Sequence, residues 1–388
     1  MIKNKKWLGL VLVFVLVAIM LAGCSGNKPA GNNQTASASS SRQASEQKVY
    51  KFRIQSANPA SSLYFEILKK FGERLDKMSG GRLKAEILPD GAVVNAFELL
   101  DAVSKGIIEG GNAWTNYWSG KHPASTLFGA PPAGAGAGMD EITHLCWYYM
   151  GGGHELMREF YQNVLKADVE PFLLNPVGPD PLGWFSKPVN SIDDMKKMKF
   201  RTPPGIPGEI YTKLGIPAVS VAGGEIVPSA QKGVIDAAEW IGPADDMKLG
   251  LYQIWKYYYL QGLHQSTDVG DLFFNKKFWD SLPPDLQEII KGAIQATMME
   301  TIYTNITENG KALEKYKKEY NVQVMETPKE LIEQYTKKAA EVLDEYAAKD
   351  AFFKKVLDSQ RAFASEIVPY KLETLKLYTS MGEAAQNK

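Results

Sequence analysis

Apolar and polar residues alternate along VYKFRIQSA at 49–57, with Tyr50, Phe52 and Ile54 on one side, a period of two that predicts a strand. The period then changes. After Ser61-Ser62 the apolar positions are Tyr64, Ile67, Leu68, Phe71, Leu75 and Met78, one face of a helix that Gly80-Gly81 ends. RLKAEILPDG alternates again through Leu83, Ala85 and Ile87, and AFELLDAVSKG reads as a second helix closed by Gly106. Strand alternating with helix predicts an α/β sheet with crossover connections.

The pattern returns further on. FLLNPVGPDPLGWFSKPV (172–189) holds strand-like pieces, and SIDDMKKM is a short helix with Ser191 as N-cap and Asp194 at its third position. KFRTPPG is a strand running into a loop, PGEIYTKLG a helix stopped by Gly215, and IPAVSV a strand. GEIVPSAQKG is a helix stopped by Gly233, and VIDAAE is a strand. This second α/β set predicts a second domain, as expected for 388 residues. Leu286, Ile290, Ile294, Met298 and Ile302 predict one long helix over about 284–320, and the C-terminal third reads as mainly helical. APPAGAGAG (130–138) reads as a flexible loop and GGGHE (151–155) as a turn.

The N-terminus adds a compartment. Lys3, Lys5 and Lys6 precede the apolar run LGLVLVFVLVAIMLAG, which ends in LAGC with Cys24 last. A basic start, an apolar stretch and a small-residue site mark a signal peptide over 1–23. LAGC resembles the lipobox of bacterial lipoproteins, which implies lipidation of Cys24. The competing reading is an uncleaved membrane anchor, for which the apolar run is about the minimum length. Residues 24–47 carry no large apolar side chain and predict a flexible tether. With Cys24 lipidated, Cys146 stands unpaired in the apolar stretch HLCWYYM and reads as core.

Composition excludes little beyond nucleic acid, since the net charge is zero and there is no basic excess to bind phosphates. Catalytic signals are thin. His122, His144, His154 and His264 show no metal-ligand spacing, and there is no nucleophile elbow, phosphate loop or dinucleotide fingerprint. Three polar residues do fall at strand ends, where open α/β sheets bind ligands. Arg201 stands before the stiff TPPG and could clasp a carboxylate with two parallel hydrogen bonds or pair with a neighbouring acid. Glu239 follows VIDAA, where a carboxylate is costly unless a cation or Arg201 faces it, and Trp240 is either an apolar wall or core. Asp180 lies between two prolines, and turn chemistry alone accounts for it. NAWTNYWSGKHP gathers Trp114, Tyr117 and Trp118, of which Tyr117 and Trp118 are candidate cleft residues.

At this point the chain resembles the solute-binding proteins of TRAP transporters of the DctP type, extracellular solute-binding protein family 7. KMSGGRLKAEILPDGAVVNAFELLDAVSKG, PLGWFSKPVNSIDDMKKMKFRT, GGEIVPSAQKGVIDAAEW and LPPDLQEIIKGA carry the likeness, in this order, within about 48–370. The AEW at 238–240 points to the branch that binds 2-oxo or 2-hydroxy monocarboxylates such as pyruvate or lactate with a metal ion. The resemblance implies a two-lobed α/β fold of the periplasmic-binding-protein type with a long interdomain helix. Lobe I would comprise 48–178 and about 267–320, and lobe II 179–266 and about 321–388. It implies that Arg201 holds the ligand carboxylate and that Glu239 and the Trp240 carbonyl bind the cation. Asp180 and Gln265 join them as candidate metal and substrate ligands, and Asn58 as a candidate substrate ligand.

One position departs from the branch, which often has Gln where this chain has Asp180. Two carboxylates plus a ligand carboxylate around one ion favour Ca²⁺ over Na⁺. The implied partners are a small organic acid, the TRAP membrane permease, the membrane through the lipid anchor, and a second copy of the chain through the C-terminal helix at 355–381. Pro369 is expected to kink or break that helix. A ligand sensor for a membrane kinase would share the same pocket. An extracytoplasmic enzyme with Glu239 as general base is the third alternative, and it lacks a paired acid or an activated nucleophile.

Overall fold

Among the residues that the computed structural model describes, 47–386, eleven strands divide into two sheets. The signal peptide, Cys24 and nearly all of the expected tether fall outside the described residues. The first sheet has the order β2-β1-β3-β10-β4, built from β1 (Tyr50–Ser56), β2 (Leu83–Leu88), β3 (Gly110–Ala113), β4 (Val169–Gly178) and β10 (Asp268–Asn275). The second, β11-β9-β5-β8-β6-β7, uses β5 (Gly183–Phe185), β6 (Phe200–Arg201), β7 (Ala218–Val219), β8 (Ala237–Ala238), β9 (Tyr257–Tyr259) and β11 (Gln323–Met325). Each sheet centres one lobe. β1 runs parallel to β2 and β3, whereas β10 is antiparallel to β3 and β4.

The first helix shows why the sequence pattern was readable. Ser62 caps helix Leu63–Met78 by accepting from the Tyr64 N–H, and Leu68, Phe71 and Leu75 on its inner face are fully buried. Elsewhere packing overrode the pattern. VIDAAE reads as a strand, but only Ala237 and Ala238 pair; Val234 is exposed and Asp236 instead accepts from the Lys199 N–H. Ser191 stands at the cap position, yet its hydroxyl donates to Asp194 rather than accepting from the helix. The loop 130–138 is not loose: Ala133 and Ala135 hold left-handed backbone, and the Ala135 carbonyl accepts from Arg361. Cys146 is half-buried.

The chain passes between the lobes three times before its C-terminal helices, which cross once more. It leaves β4 and enters β5 across 179–182, returns from β9 to β10 across 260–267, and crosses again through the long helix Pro284–Glu319 to β11. The long helix rests on helix Leu63–Met78, on β4 and on helix Pro243–Leu249.

The C-terminal helices need two corrections. The sequence assigns residues 321–388 to lobe II, and helix Lys329–Lys349 packs Tyr335 at a tilt against Tyr211 of that lobe. The following helix packs on first-lobe elements instead: Ser359 accepts from Trp147, and Gln360 donates to the Leu127 carbonyl. It also runs from Ala351 to Gln386 without a break at Pro369. The carbonyl that Pro369 leaves without a donor belongs to exposed Ser365, where water can serve it. No helix among the described residues is long and apolar enough to cross a membrane.

Candidate functional site

Two neighbouring parallel strands of the second sheet place the first pair of residues. β6 and β8 align Arg201 with Ala238, so Arg201 and the next residue, Glu239, emerge at the same carboxyl edge. Arg201 and Glu239 are each 2% exposed and form an ion pair through Nη1 and Oε1. One edge of the guanidinium is held by backbone: Nε and Nη2 both donate to the Val221 carbonyl, at 3.1 and 2.8 Å. Five N–H donors minus these three contacts leave one N–H on each terminal nitrogen. That is the geometry of a fork awaiting a carboxylate.

The interlobe crossings supply the rest. Asp180 lies on the first crossing, and His264 and Gln265 on the second. The two crossings are joined by the Asp180 N–H donating to the Gln265 carbonyl at 3.0 Å. Gly262 permits this approach, because a Cβ there would lie 1.8 Å from the Asp180 carbonyl oxygen. Gln265 donates to Asp268 at the start of β10. Trp114, Asn116 and Tyr117 close the cavity from the first lobe, and Pro203, Trp240 and Ile241 from the second. The cavity volume is about 20 Å³.

The electrostatics are unusual for so small a space. Burial pushes the Asp180 carboxyl well above the usual carboxylate range, and Asp268, Glu239 and Asp246 push the same way. Asp268 is raised by burial and then by Glu239. Burial also pushes Glu239 up, but Arg201 and then His264 outweigh it and hold it low. His264 Nε2 stands 3.9 Å from Glu239 Oε2, too long for a hydrogen bond. Asp180 Oδ1 and His264 Nε2 are buried without any hydrogen-bond partner. Donor atoms of Asp180, Glu239 and His264 lie within 4.8 Å of one another. The unpartnered Asp180 oxygen beside Glu239 fits a hard cation, which takes oxygen ligands, and Asp180 and Glu239 would hold it, with the His264 nitrogen close by.

Of the residues picked from sequence, Arg201, Asp180, Glu239, Trp240, Gln265 and Tyr117 come together in this cavity. Trp118 does not. It is buried against the first sheet, where its indole donates to Tyr161 and its ring meets Phe273 edge-on. Thr115–Trp118 is a 3-10 turn, in which residues three apart share a face, so Trp114 and Tyr117 look one way and Trp118 another. Asn58 is buried just past β1 with its Oδ1 unpartnered, but it is not part of the cavity wall. Asp268 and His264 were missed. The signal existed for Asp268, an acid beside the apolar strand VGDLFF, the same logic that singled out Glu239. His264 has none, because its neighbours come together only through the crossings.

Residues 54–350 match the model of the bacterial extracellular solute-binding protein family 7. The chain belongs to this family. Among family 7 relatives, a monocarboxylate 2-oxoacid-binding periplasmic protein of Nostoc sp. is 30% identical over 336 residues, 87% of this chain and 90% of that protein. A TRAP periplasmic solute-binding protein of Colwellia psychrerythraea, solved with calcium and pyruvate, is 30% identical with a TM-score of 0.79, covering 86% of this chain and 99% of that one. Another from Pseudoalteromonas atlantica, solved with sodium and pyruvate, is 29% identical with a TM-score of 0.79 over 86% and 99% of the two chains. The two-lobed family 7 architecture with its long helix is thus the fold of this chain.

Proposed function

We propose that this family 7 protein is an extracytoplasmic receptor that captures a small 2-oxo or 2-hydroxy monocarboxylate together with one metal ion and hands it to a TRAP permease. The observation that carries the reading is the buried Arg201 fork, clamped by Val221 and faced by Glu239 and by Asp180 and His264 of the crossings. The ligand carboxylate would take up the free N–H groups of Arg201 and loosen its direct contact with Glu239. The bound cation would offset the gathered carboxylates. Ca²⁺ is favoured over Na⁺ because Asp180 adds a negative charge where a neutral amide would not. Relatives solved with pyruvate hold one or the other.

A space of about 20 Å³ admits an ion or a water but no organic acid. Entry therefore requires the lobes to part, and capture is a shift of an open–closed equilibrium. The test is calorimetry of the metal-replete protein against pyruvate, lactate and longer 2-oxo acids, repeated after EDTA. Saturable binding of a short acid that weakens after EDTA is expected. Failure to bind any monocarboxylate would refute the reading. Unchanged acid on recovery from the complex would separate a receptor from an enzyme.

Two partner proposals accompany this. Cys24 carries the lipid that keeps the protein at the membrane, so Cys24→Ser is expected to move it from the membrane fraction to the soluble one. Retention of the variant in membranes would point instead to an uncleaved helix. A second copy docks through the C-terminal helix, whose Tyr370, Leu372, Leu377 and Tyr378 are more than half exposed.

A further inference from the structure

Trp240 is held at three points. Its ring packs on the Arg201 guanidinium, 5.7 Å from Cζ to the ring centre. Its far edge lies over Gly223, where a Cβ would come within 2.2 Å of Cη2. Its indole N–H donates to Asp245 Oδ2 at 2.6 Å. Asp245 itself is 3% exposed and stands in helix Pro243–Leu249. Among the described residues no basic side chain pairs with it directly. The same carboxylate reaches an element of the other lobe, accepting from the Leu63 N–H at 2.6 Å and from the Ser62 hydroxyl at 3.0 Å.

Ser62 and Leu63 open helix Leu63–Met78, which follows β1 of the first sheet. The helix runs 16 residues, so its first N–H groups present a partial positive charge to the carboxylate. Nearby, Lys248 of the Asp245 helix pairs with Glu66 of the first helix at 3.1 Å. Both helices are braced by the long helix: Tyr64 donates to Asn305, and the Ala244 N–H donates to Asn309.

We infer that Asp245 is the positioning residue that couples an occupied cavity to closure, by joining the Trp240 indole to the start of the first-lobe helix. A ligand seated on Arg201 fixes the wall formed by Trp240. That wall presents its N–H to Asp245, and Asp245 is thereby aimed at the Leu63 N–H. Asp245 touches no ligand and acts only through Trp240. Any change in its hold on the two donors alters the fraction of molecules closed, and the apparent affinity follows that fraction.

Asp245→Asn keeps the shape but breaks the hold. An amide offers one acceptor oxygen where the carboxylate offers two, and its NH₂ must then face a second donor. Loss of a charge-assisted hydrogen bond is expected to weaken acid binding about 10- to 100-fold. Trp240→Phe removes the N–H while keeping an aromatic wall. If the N–H to carboxylate bond carries the effect, the double variant is no weaker than the weaker single.

The inference rests on the reading of the cavity as a receptor site, and the experiment separates the two. Small-angle scattering of the whole mature protein is titrated with pyruvate in the presence of calcium, for the parent, both single variants and the double. A contraction that needs about 10- to 100-fold more pyruvate in Asp245→Asn, with no further loss in the double variant, supports the latch. Contraction at the parent's midpoint in both singles overturns it, as does a lowered melting temperature with an unchanged midpoint. Losses that multiply in the double variant overturn it too. If the parent binds no acid, the receptor reading falls, and acid-free scattering decides the latch. Expansion of Asp245→Asn relative to the parent then supports it, and identical curves overturn it.

Discussion

Arg201→Lys is expected to reduce organic-acid affinity by about 2–5 kcal/mol, the cost of spoiling a buried charge-assisted pair. Lysine keeps the charge but not the fork. In the parent, the Val221 carbonyl fixes the guanidinium plane through Nε and Nη2 and so aims the remaining N–H groups. An ammonium bound to that carbonyl would have no fixed plane to offer. Glu239 would also keep a partner, so the fold should survive, which thermal unfolding can verify. Calorimetry with pyruvate measures the loss. A lysine variant that binds pyruvate as tightly as the parent would remove Arg201 from the role given to it here.

Asp180→Asn should change which ion the site prefers. The variant is expected to lose on the order of tenfold or more in Ca²⁺ affinity, since ligand charge is a principal lever on such sites. Its acid binding should respond more to Na⁺ and less to EDTA than the parent's. A second effect has the opposite sign. Without metal, Asp180 is a buried acid pressed by its own burial and by Asp268 and Glu239. Removing its charge relieves that repulsion, so the metal-free variant should melt above the metal-free parent. Thermal unfolding in EDTA reads this directly. A parent whose acid binding ignores EDTA yet vanishes without Na⁺ would rule out the divalent assignment. The presence of Asp268 sharpens the expectation, because it adds a fourth carboxyl to the three counted from sequence, the ligand's included.

What could be read in advance follows from range. The cap at Ser62, the face of helix Leu63–Met78 and the long helix arise from neighbours a few residues apart, and their spacing announces them. Arg201 and Glu239 were readable because each ends a strand, and edge geometry does the rest. The ion pair between them matches one of the two readings left open for Glu239, pairing with Arg201, and Glu239 also lies within 4.8 Å of donor atoms of Asp180 and His264, as the proposed cation site needs. Trp118 failed because one residue of turn phase separates a cavity wall from the core. His264 failed because proximity to Asp180 and Glu239 is created by two crossings that meet, a relation no local pattern encodes. The break expected at Pro369 failed for a different reason: an exposed helix tolerates a missing donor that a buried one would not.

The placement of Asp180, His264 and Gln265 on the joints rather than inside either lobe bears on how this protein can be re-engineered. A chimera assembled by exchanging a whole lobe with a relative must be cut at 179–182 and 260–267 as well as at the long helix and between the last two helices, and so beside Asp180, His264 and Gln265, which we propose line the ion site together with Glu239 of the second lobe. On the proposed ion site, selectivity would be inherited in part with the splice points, and a designer could retune it there while leaving both hydrophobic cores untouched. A graft that preserved both lobes but took its joints from a sodium-dependent relative would carry that relative's ion preference into an otherwise unaltered body.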